Sequence, residues 1–278
     1  MSVKRTGPEP GPGMRSAAAS GPDAFDRNVP HSARMYDYWL GGKDNYAVDR
    51  AVADQITAIF PDILVNVRAQ RAFLGRVVGY LAAEAGIWQF LDIGTGLPSA
   101  SNTHEVAQRF VPQARVVYVD NSPVVLAHAR ALLSSGPQGE TAFIEADLRD
   151  TGTVLAEAAR ILDLSQPVAV LLLGVLSFIP DDEDPAAIVA RLMAAVPPGS
   201  YLAVAHPASD IAAEQVARSV RRYNLQASDP ATVRTYAEVA RFFDGLDMVE
   251  PGLVQLHRWR AGTDDLELPN YGGVGRKP

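Results

Sequence analysis

Phe90-Leu-Asp-Ile-Gly-Thr-Gly-Leu-Pro-Ser99 reads as an apolar strand, an acid near its end and a glycine turn. After one helix-length segment comes a second apolar strand, Arg115-Val-Val-Tyr-Val119, closed by Asp120. A strand, a turn that lets backbone approach a ligand, and an acid at the end of the next strand describe a nucleotide-type site. Gly94 and Gly96 matter because a side chain there would block close approach or demand an unfavourable backbone angle. Asp120 matters because a carboxylate at that sheet edge can accept both ribose hydroxyls. With its neighbour Asn121 it is read as a cofactor contact.

The spacing bears on which nucleoside is meant. A dinucleotide fingerprint, Gly-x-Gly-x-x-Gly, would put its third small residue at Ser99 and aim a helix N-terminus at a pyrophosphate. Pro98 interrupts that turn, and the helix caps expected at Asn102 or Thr103 come several residues later. S-adenosylmethionine carries no phosphate and needs no such cradle. Its methyltransferases share an acid-x-Gly-x-Gly-x-Gly motif, which Asp92-Ile-Gly94-Thr95-Gly96-Leu-Pro98 resembles, with proline in the third glycine position.

Two further runs extend the pattern. Thr141-Ala-Phe-Ile144 leads into Glu145-Ala-Asp147-Leu148. By resemblance to class I methyltransferases, Asp147 would receive the adenine amino group and the Leu148 amide would meet the ring. Pro167-Val-Ala-Val-Leu-Leu-Leu173 is nearly continuous in apolar residues and suits a central parallel strand buried on both faces. It opens into Gly174-Val-Leu-Ser-Phe-Ile-Pro180, with Gly174 beside the cofactor cleft. Asp184-Pro185 reads as an N-cap followed by proline at the first helical position. A fifth strand, Tyr201-Leu-Ala-Val-Ala205, follows. Helices are expected over Asp210–Asn224 and Tyr236–Phe243, the second opened by the capping box Thr235-Tyr-Ala-Glu238. Two strand-like pieces about Pro251-Gly252 predict a terminal antiparallel hairpin. The fold expected is a Rossmann-like, seven-stranded class I methyltransferase sheet with helices on both faces.

Composition agrees with one enzyme domain. The chain has 278 residues, 47% of them apolar, enough for a single sizeable core. A net charge of −7 argues against nucleic acid as partner, and the basic run Arg218-Ser-Val-Arg-Arg222 reads as a solvated helix face. The absence of cysteine rules out disulfides, thiolate metal sites and a cysteine nucleophile. No apolar run approaches the roughly 20 residues that span a bilayer, and no apolar signal core stands at the start. A cytoplasmic protein without a membrane partner is expected. No metal site is expected either, since Asp181-Asp-Glu-Asp184 reads as a loop and helix cap. Residues 1–24, rich in Gly, Pro, Ser and Ala, are expected to be a disordered leader. Residues 25–278 form one domain: a helical N-terminal lid at 25–86, then the sheet at 87–278 with a helical insertion at about 207–244.

Pro30-His-Ser-Ala-Arg-Met-Tyr-Asp-Tyr-Trp-Leu-Gly-Gly-Lys-Asp-Asn-Tyr46 crowds aromatics, paired glycines and polar groups together. With Leu91–Pro98, Asn102–Gln108 and Tyr271–Pro278 it resembles an S-adenosyl methyltransferase family, largely actinobacterial and long catalogued as a domain of unknown function. The resemblance runs from about Phe25 to the end of the chain. It implies the fold and S-adenosyl-L-methionine as cofactor, and it supplies no acceptor. Ser32 or Asp37 could cap a helix in this block that Gly41-Gly42 would stop. Tyr36, Trp39 and Tyr46 are candidates to wall an acceptor pocket, with Arg34 and Asn45 as polar contacts.

Methyl transfer needs alignment and desolvation above all, and a general base where the acceptor is a hydroxyl. His206, directly after the fifth strand, and His104, at the first helix start, are the candidate bases. The reaction expected is methylation of a small molecule at oxygen or nitrogen. The alternatives are a fold that binds S-adenosylmethionine or its product as a sensor without turnover, and a nicotinamide oxidoreductase.

Overall fold

The structure is a computed structural model that describes residues 28–227, 229–262 and 265–278. The leader expected at 1–24 lies outside the described residues. Five strands form the parallel part of the sheet: β1 (Gln89–Ile93), β2 (Arg115–Asp120), β3 (Glu140–Glu145), β4 (Ala169–Leu173) and β5 (Tyr201–Pro207). Their order is β3-β2-β1-β4-β5, so the chain reverses direction across the sheet between β1 and β4. That reversal leaves a crevice at the strands' carboxyl ends, the place where open α/β sheets bind ligands.

Alternation along each strand feeds two cores. Leu91, Val117, Val170 and Leu202 pack on one face with α6 (Thr151–Ala158) and α7 (Pro185–Ala194). Phe90, Val116, Ala169 and Ala203 pack on the other with α3 (Ile63–Ala83) and α4 (Thr103–Phe110). Burial on both faces is why these strands read as continuous apolar runs. Caps at three helix starts follow the sequence: Asn102 and Glu105 box α4, the Asp184 carboxylate accepts the Ala187 N–H at 3.1 Å, and Thr235 and Glu238 box α9 (Tyr236–Ala240).

Three elements differ from expectation. The pieces β6 (Asp247–Met248) and β7 (Val254–Gln255) do not pair with each other across Pro251-Gly252. Both run antiparallel to β8 (Asn270–Arg276), as one edge strand broken in two, which gives eight strands. β8 inserts between β5 and this broken edge, pairing Tyr201 with Arg276 and Pro207 with Asn270. The antiparallel ribbon is therefore β6/β7 with β8. At the N-terminal end, neither Ser32 nor Asp37 caps α1 (Ser32–Trp39). His31 does, its Nδ1 accepting from the Ala33 N–H at 3.2 Å. Asp37 lies mid-helix and accepts instead from the Asp44 N–H and the Asn45 amide, at 2.9 and 2.8 Å. Finally, α3 is part of the sheet's packing layer through Phe73, Val77, Val78 and Leu81. The segment able to act as a cover thus narrows to α1 and α2 (Ala47–Ile59). These pack with α8 (Ala213–Asn224) in a small cluster of Met35, Val52, Ile56 and Tyr223. Arg222, from the basic run of α8, donates its Nε to Gln55 Oε1 of α2 at 2.6 Å.

Candidate active site

A cavity of about 350 Å³ lies at the carboxyl ends of β1, β2, β4 and β5, with α1 and α3 forming its far walls. The glycine turn makes its floor. Gly94 has φ +74°, and a Cβ there would sit 2.4 Å from Val175 Cβ, so only glycine lets the turn pass the loop after β4. Gly96 has φ +64° with no protein atom within 4 Å of a Cβ position. Its N–H donates to Asp120 Oδ2 at 3.1 Å, and the Ser122 N–H donates to Oδ1 at 2.9 Å. Asp120 therefore keeps an accepting lone pair on each oxygen. Burial raises its pKa, against the pull of those two amides.

Asp147 is engaged differently. Its carboxylate accepts from the Arg149 N–H at 2.8 Å, from Asn121 Nδ2 at 3.1 Å and from Arg149 Nη1 at 3.2 Å. Burial pushes its pKa up, but these hydrogen bonds outweigh it and hold the pKa below the ordinary value. Leu148, buried, lines the cavity beside it, as do Thr95 and Asn121. Asp92 sits under the turn with Thr103 Oγ1 donating to Oδ2 at 2.6 Å, and burial raises its pKa to about 6. Gly174 caps the 3₁₀ turn Val175–Phe178, which brings Ser177 and Phe178 to the cavity.

Of the five residues expected from the N-terminal block, Tyr36 and Trp39 line the cavity. Each has its polar end fixed in the frame: the Tyr36 hydroxyl donates to Val67 O and Trp39 Nε1 to Thr57 Oγ1, both at 3.1 Å. Arg34, Asn45 and Tyr46 do not reach it. Arg34 is 2% exposed, with Nε 2.8 Å from Asp49 Oδ2 and its guanidinium 4.9 Å over the Tyr46 ring. Asn45 is held by Asp37, and Tyr46 lies largely at the surface. These three build the α1–α2 corner.

Both candidate bases are sequestered. His206 is fully buried outside the cavity lining. Arg234 Nη1 donates to its Nε2 at 2.8 Å, so Nδ1 carries the proton and meets Pro207 O at 2.9 Å. Burial, then the Arg234 charge, lowers its pKa to about 4. His104 is likewise buried away from the cavity, its Nδ1 2.8 Å from the Tyr118 hydroxyl. Neither lines the cavity. The histidine that does line it is His31, whose pKa burial and Arg34 lower.

Sequence reasoning also passed over the inner stripe of α3, where Ile63, Asn66, Val67, Gln70, Arg71 and Leu74 face the cavity. Gln70 Nε2 donates to Leu173 O at the end of β4, and Arg71 Nη2 donates to Ala100 O and Ser101 O beyond the glycine turn, all at 2.9 Å. Asn66, Gln70 and Arg71, grouped on one face with Ile63, Val67 and Leu74, were the legible signal. Pro207, Asp229 and Asn270 complete the side after β5.

The S-adenosyl methyltransferase family model matches residues 18–278. A DUF574 family protein from Streptomyces avermitilis MA-4680 is 44% identical, with TM-score 0.88, covering 91% of this chain and 99% of that one. A proposed methyltransferase from Thermobifida fusca YX is 39% identical, with TM-score 0.83, covering 90% and 96%. In fold alone the chain is also similar to a plantazolicin methyltransferase solved with S-adenosylhomocysteine, at 12% identity, TM-score 0.50 and coverage of 88% and 95%. Among proteins with curated descriptions, none matches. The strand order with its reversal at the glycine turn, the antiparallel β8 and the family match together make this chain a member of the S-adenosyl methyltransferase family, with S-adenosyl-L-methionine as its cofactor.

Proposed function

We propose that this chain methylates a small molecule at oxygen or nitrogen inside the cavity beneath α1. The observation that carries the reading is that one cavity joins the glycine turn and Asp120 to a wall of Tyr36, Trp39 and Phe178. The cofactor fits the first half. Gly96 stands over open space, Asp120 offers two lone pairs to the ribose hydroxyls, and Asp92 and Asp120 favour a cationic sulfonium. Asn121, Asp147 and the Leu148 amide are proposed for the adenine end, with Thr95 and Gly174 as close neighbours of the cofactor. A dinucleotide fits less well, because Leu97–Ser101 intervene before α4 and no helix N-terminus follows the turn directly.

When bound, S-adenosylmethionine supplies an electrophilic methyl group on sulfur. The chain's own contribution is alignment and exclusion of water. Gln70 and Arg71 fix the loops after β4 and β1 to α3, so the two halves keep one geometry. Tyr36 cannot act as a base, since burial drives its phenol far above neutrality. With His104 and His206 sealed, the reading rests on approach rather than on a dedicated base.

Turnover of methyl-labelled S-adenosylmethionine against a metabolite extract tests this. Label should pass to a small-molecule fraction. Tight cofactor binding with no label transferred would favour the sensor reading instead.

A further inference from the structure

Among the described residues, the basic side chains lining the cavity are His31, Arg71 and Arg149. Burial, and the Arg34 charge after it, lower the pKa of His31 and leave its ring neutral at pH 7. Arg149 is engaged by Asp147 and Glu183. Arg71 has no carboxylate within ion-pair distance. Its Nη2 donates to Ala100 O and Ser101 O, and its Nε and Nη1 hydrogens meet no other group of the described chain. Both of those nitrogens keep access to solvent.

Where Arg71 stands decides what it can hold. It borders both the cavity and a groove outside it between α3 and α4, which puts it at the rim. Its charge works inward all the same. Burial raises the pKa values of Asp92, Tyr36 and Tyr118, all of which line the cavity, and Arg71 pulls each one back. The guanidinium is also held in place. Ser101, one of the two residues whose carbonyls it grips, adopts φ +62°, a left-handed backbone that a non-glycine residue rarely takes without support.

Strand order then says which end of the cofactor arrives there. Asp147 follows β3, Asp120 ends β2 and the glycine turn follows β1. On the placement proposed above, adenine, ribose and sulfur follow one another in that direction along the sheet edge. The amino-acid arm continues the same way, toward the end of β4. There Gln70 Nε2 donates to Leu173 O, and Arg71 is the next residue of α3. Resting on that placement, we infer that Arg71 receives the carboxylate of the cofactor's amino-acid arm and makes the chain selective for ligands that carry it. The bond comes from Nε or Nη1, while Nη2 keeps the loop after β1. A hydrogen bond between two charged groups is stronger than one between neutral groups, so this contact can dominate the arm's binding.

Titration calorimetry on the full chain tests this by comparing S-adenosylhomocysteine with its decarboxylated form, which keeps the ammonium and lacks only the carboxylate. The unaltered chain should bind S-adenosylhomocysteine at least about tenfold more tightly, the scale of one charge-assisted hydrogen bond. Arg71→Gln loses the charge and keeps a donor for the loop carbonyls. It should weaken S-adenosylhomocysteine at least about tenfold and leave the decarboxylated ligand within about threefold. Arg71→Met should do the same, which covers a glutamine variant that fails to fold. Equal losses for both ligands would mean that Arg71 only holds the loop. An unchanged preference would mean that any carboxylate Arg71 meets is the acceptor's and not the cofactor's. Either result overturns the inference, as does an unaltered chain with no preference. Asp120→Ala should weaken both ligands alike, because the ribose is common to them. If it weakens neither, the placement itself fails, whatever the Arg71 variants show.

Discussion

Asp120 and Asp92 differ in role: one presents lone pairs, the other is a buried acid beneath the turn. Asp120→Ala should remove hydrogen bonds to an ionised acceptor, each worth about 1.5–3 kcal/mol before water compensates. Titration calorimetry should show S-adenosylhomocysteine binding weakened at least about tenfold with the melting transition retained. An unchanged affinity would withdraw Asp120 as the ribose contact. For Asp92 the sign runs through stability. Its folded pKa of about 6 lies above the unfolded value of 3.8, so between those values the unfolded state loses its proton first. Stability is then lost as pH rises from about 4 to 6, by on the order of 2–3 kcal/mol. Asp92→Asn should therefore gain stability relative to the unaltered chain over that interval, read from urea unfolding at each pH. His206 works in the opposite sense. Its folded pKa of about 4 lies below the unfolded 6.5, so its contribution is lost as pH falls through that range. Asp92 and Asp120 were legible because each lies at or next to the end of an apolar strand in the chain itself. That His206 is sealed was not, because the group that seals it, Arg234, comes from a segment 28 residues away.

Among the elements, the α1–α2 corner hangs on one carboxylate. Asp49 accepts from the His31 and Tyr46 N–H groups at 2.9 and 2.8 Å and pairs with Arg34, and neither charged side chain is more than 2% exposed. Asp49→Ala would strand a buried guanidinium, a loss of about 3–5 kcal/mol. Urea unfolding should show either that loss in the main transition or an earlier, separate transition of the N-terminal helices. A variant as stable as the unaltered chain would contradict this account of the corner. The aromatic block announced that something is built here, yet the sequence could not divide its residues between wall and frame. Tyr36 and Arg34 are two apart on one helix and face different neighbours. β8 was hidden for another reason. Tyr271-Gly-Gly-Val-Gly lacks the side chains that mark a strand, and glycine weakens that reading. Here the glycines admit neighbours: a Cβ at Gly272 would lie 2.8 Å from both Leu256 and Phe73, and one at Gly275 about 3.0 Å from Leu246 and Phe243. Sequence pattern records what a residue is, and only packing records what it makes room for.

For the molecule as a whole, β1, β2, β4 and β5 were readable because burial on both faces writes a continuous apolar signature, and β3, half-buried at the sheet edge, was readable from its short apolar run before Asp147. The cavity's second half was not, since it is assembled from α1, α3, the turn after β4 and the segments after β5, which meet only in the folded chain. Among the described residues no helix is long and apolar enough to cross a membrane. We propose that one cavity holds the cofactor on the glycine turn and is closed by the N-terminal helices. Helices that cover a ligand open more readily than the sheet they rest on, and ligand contacts should slow that opening. Hydrogen exchange with and without S-adenosylhomocysteine tests this most directly. Amide protection should rise together at residues 94–96, at 120–122 and across 30–50. Protection confined to the glycine turn would contradict the cover, and no change at the turn would contradict the site itself.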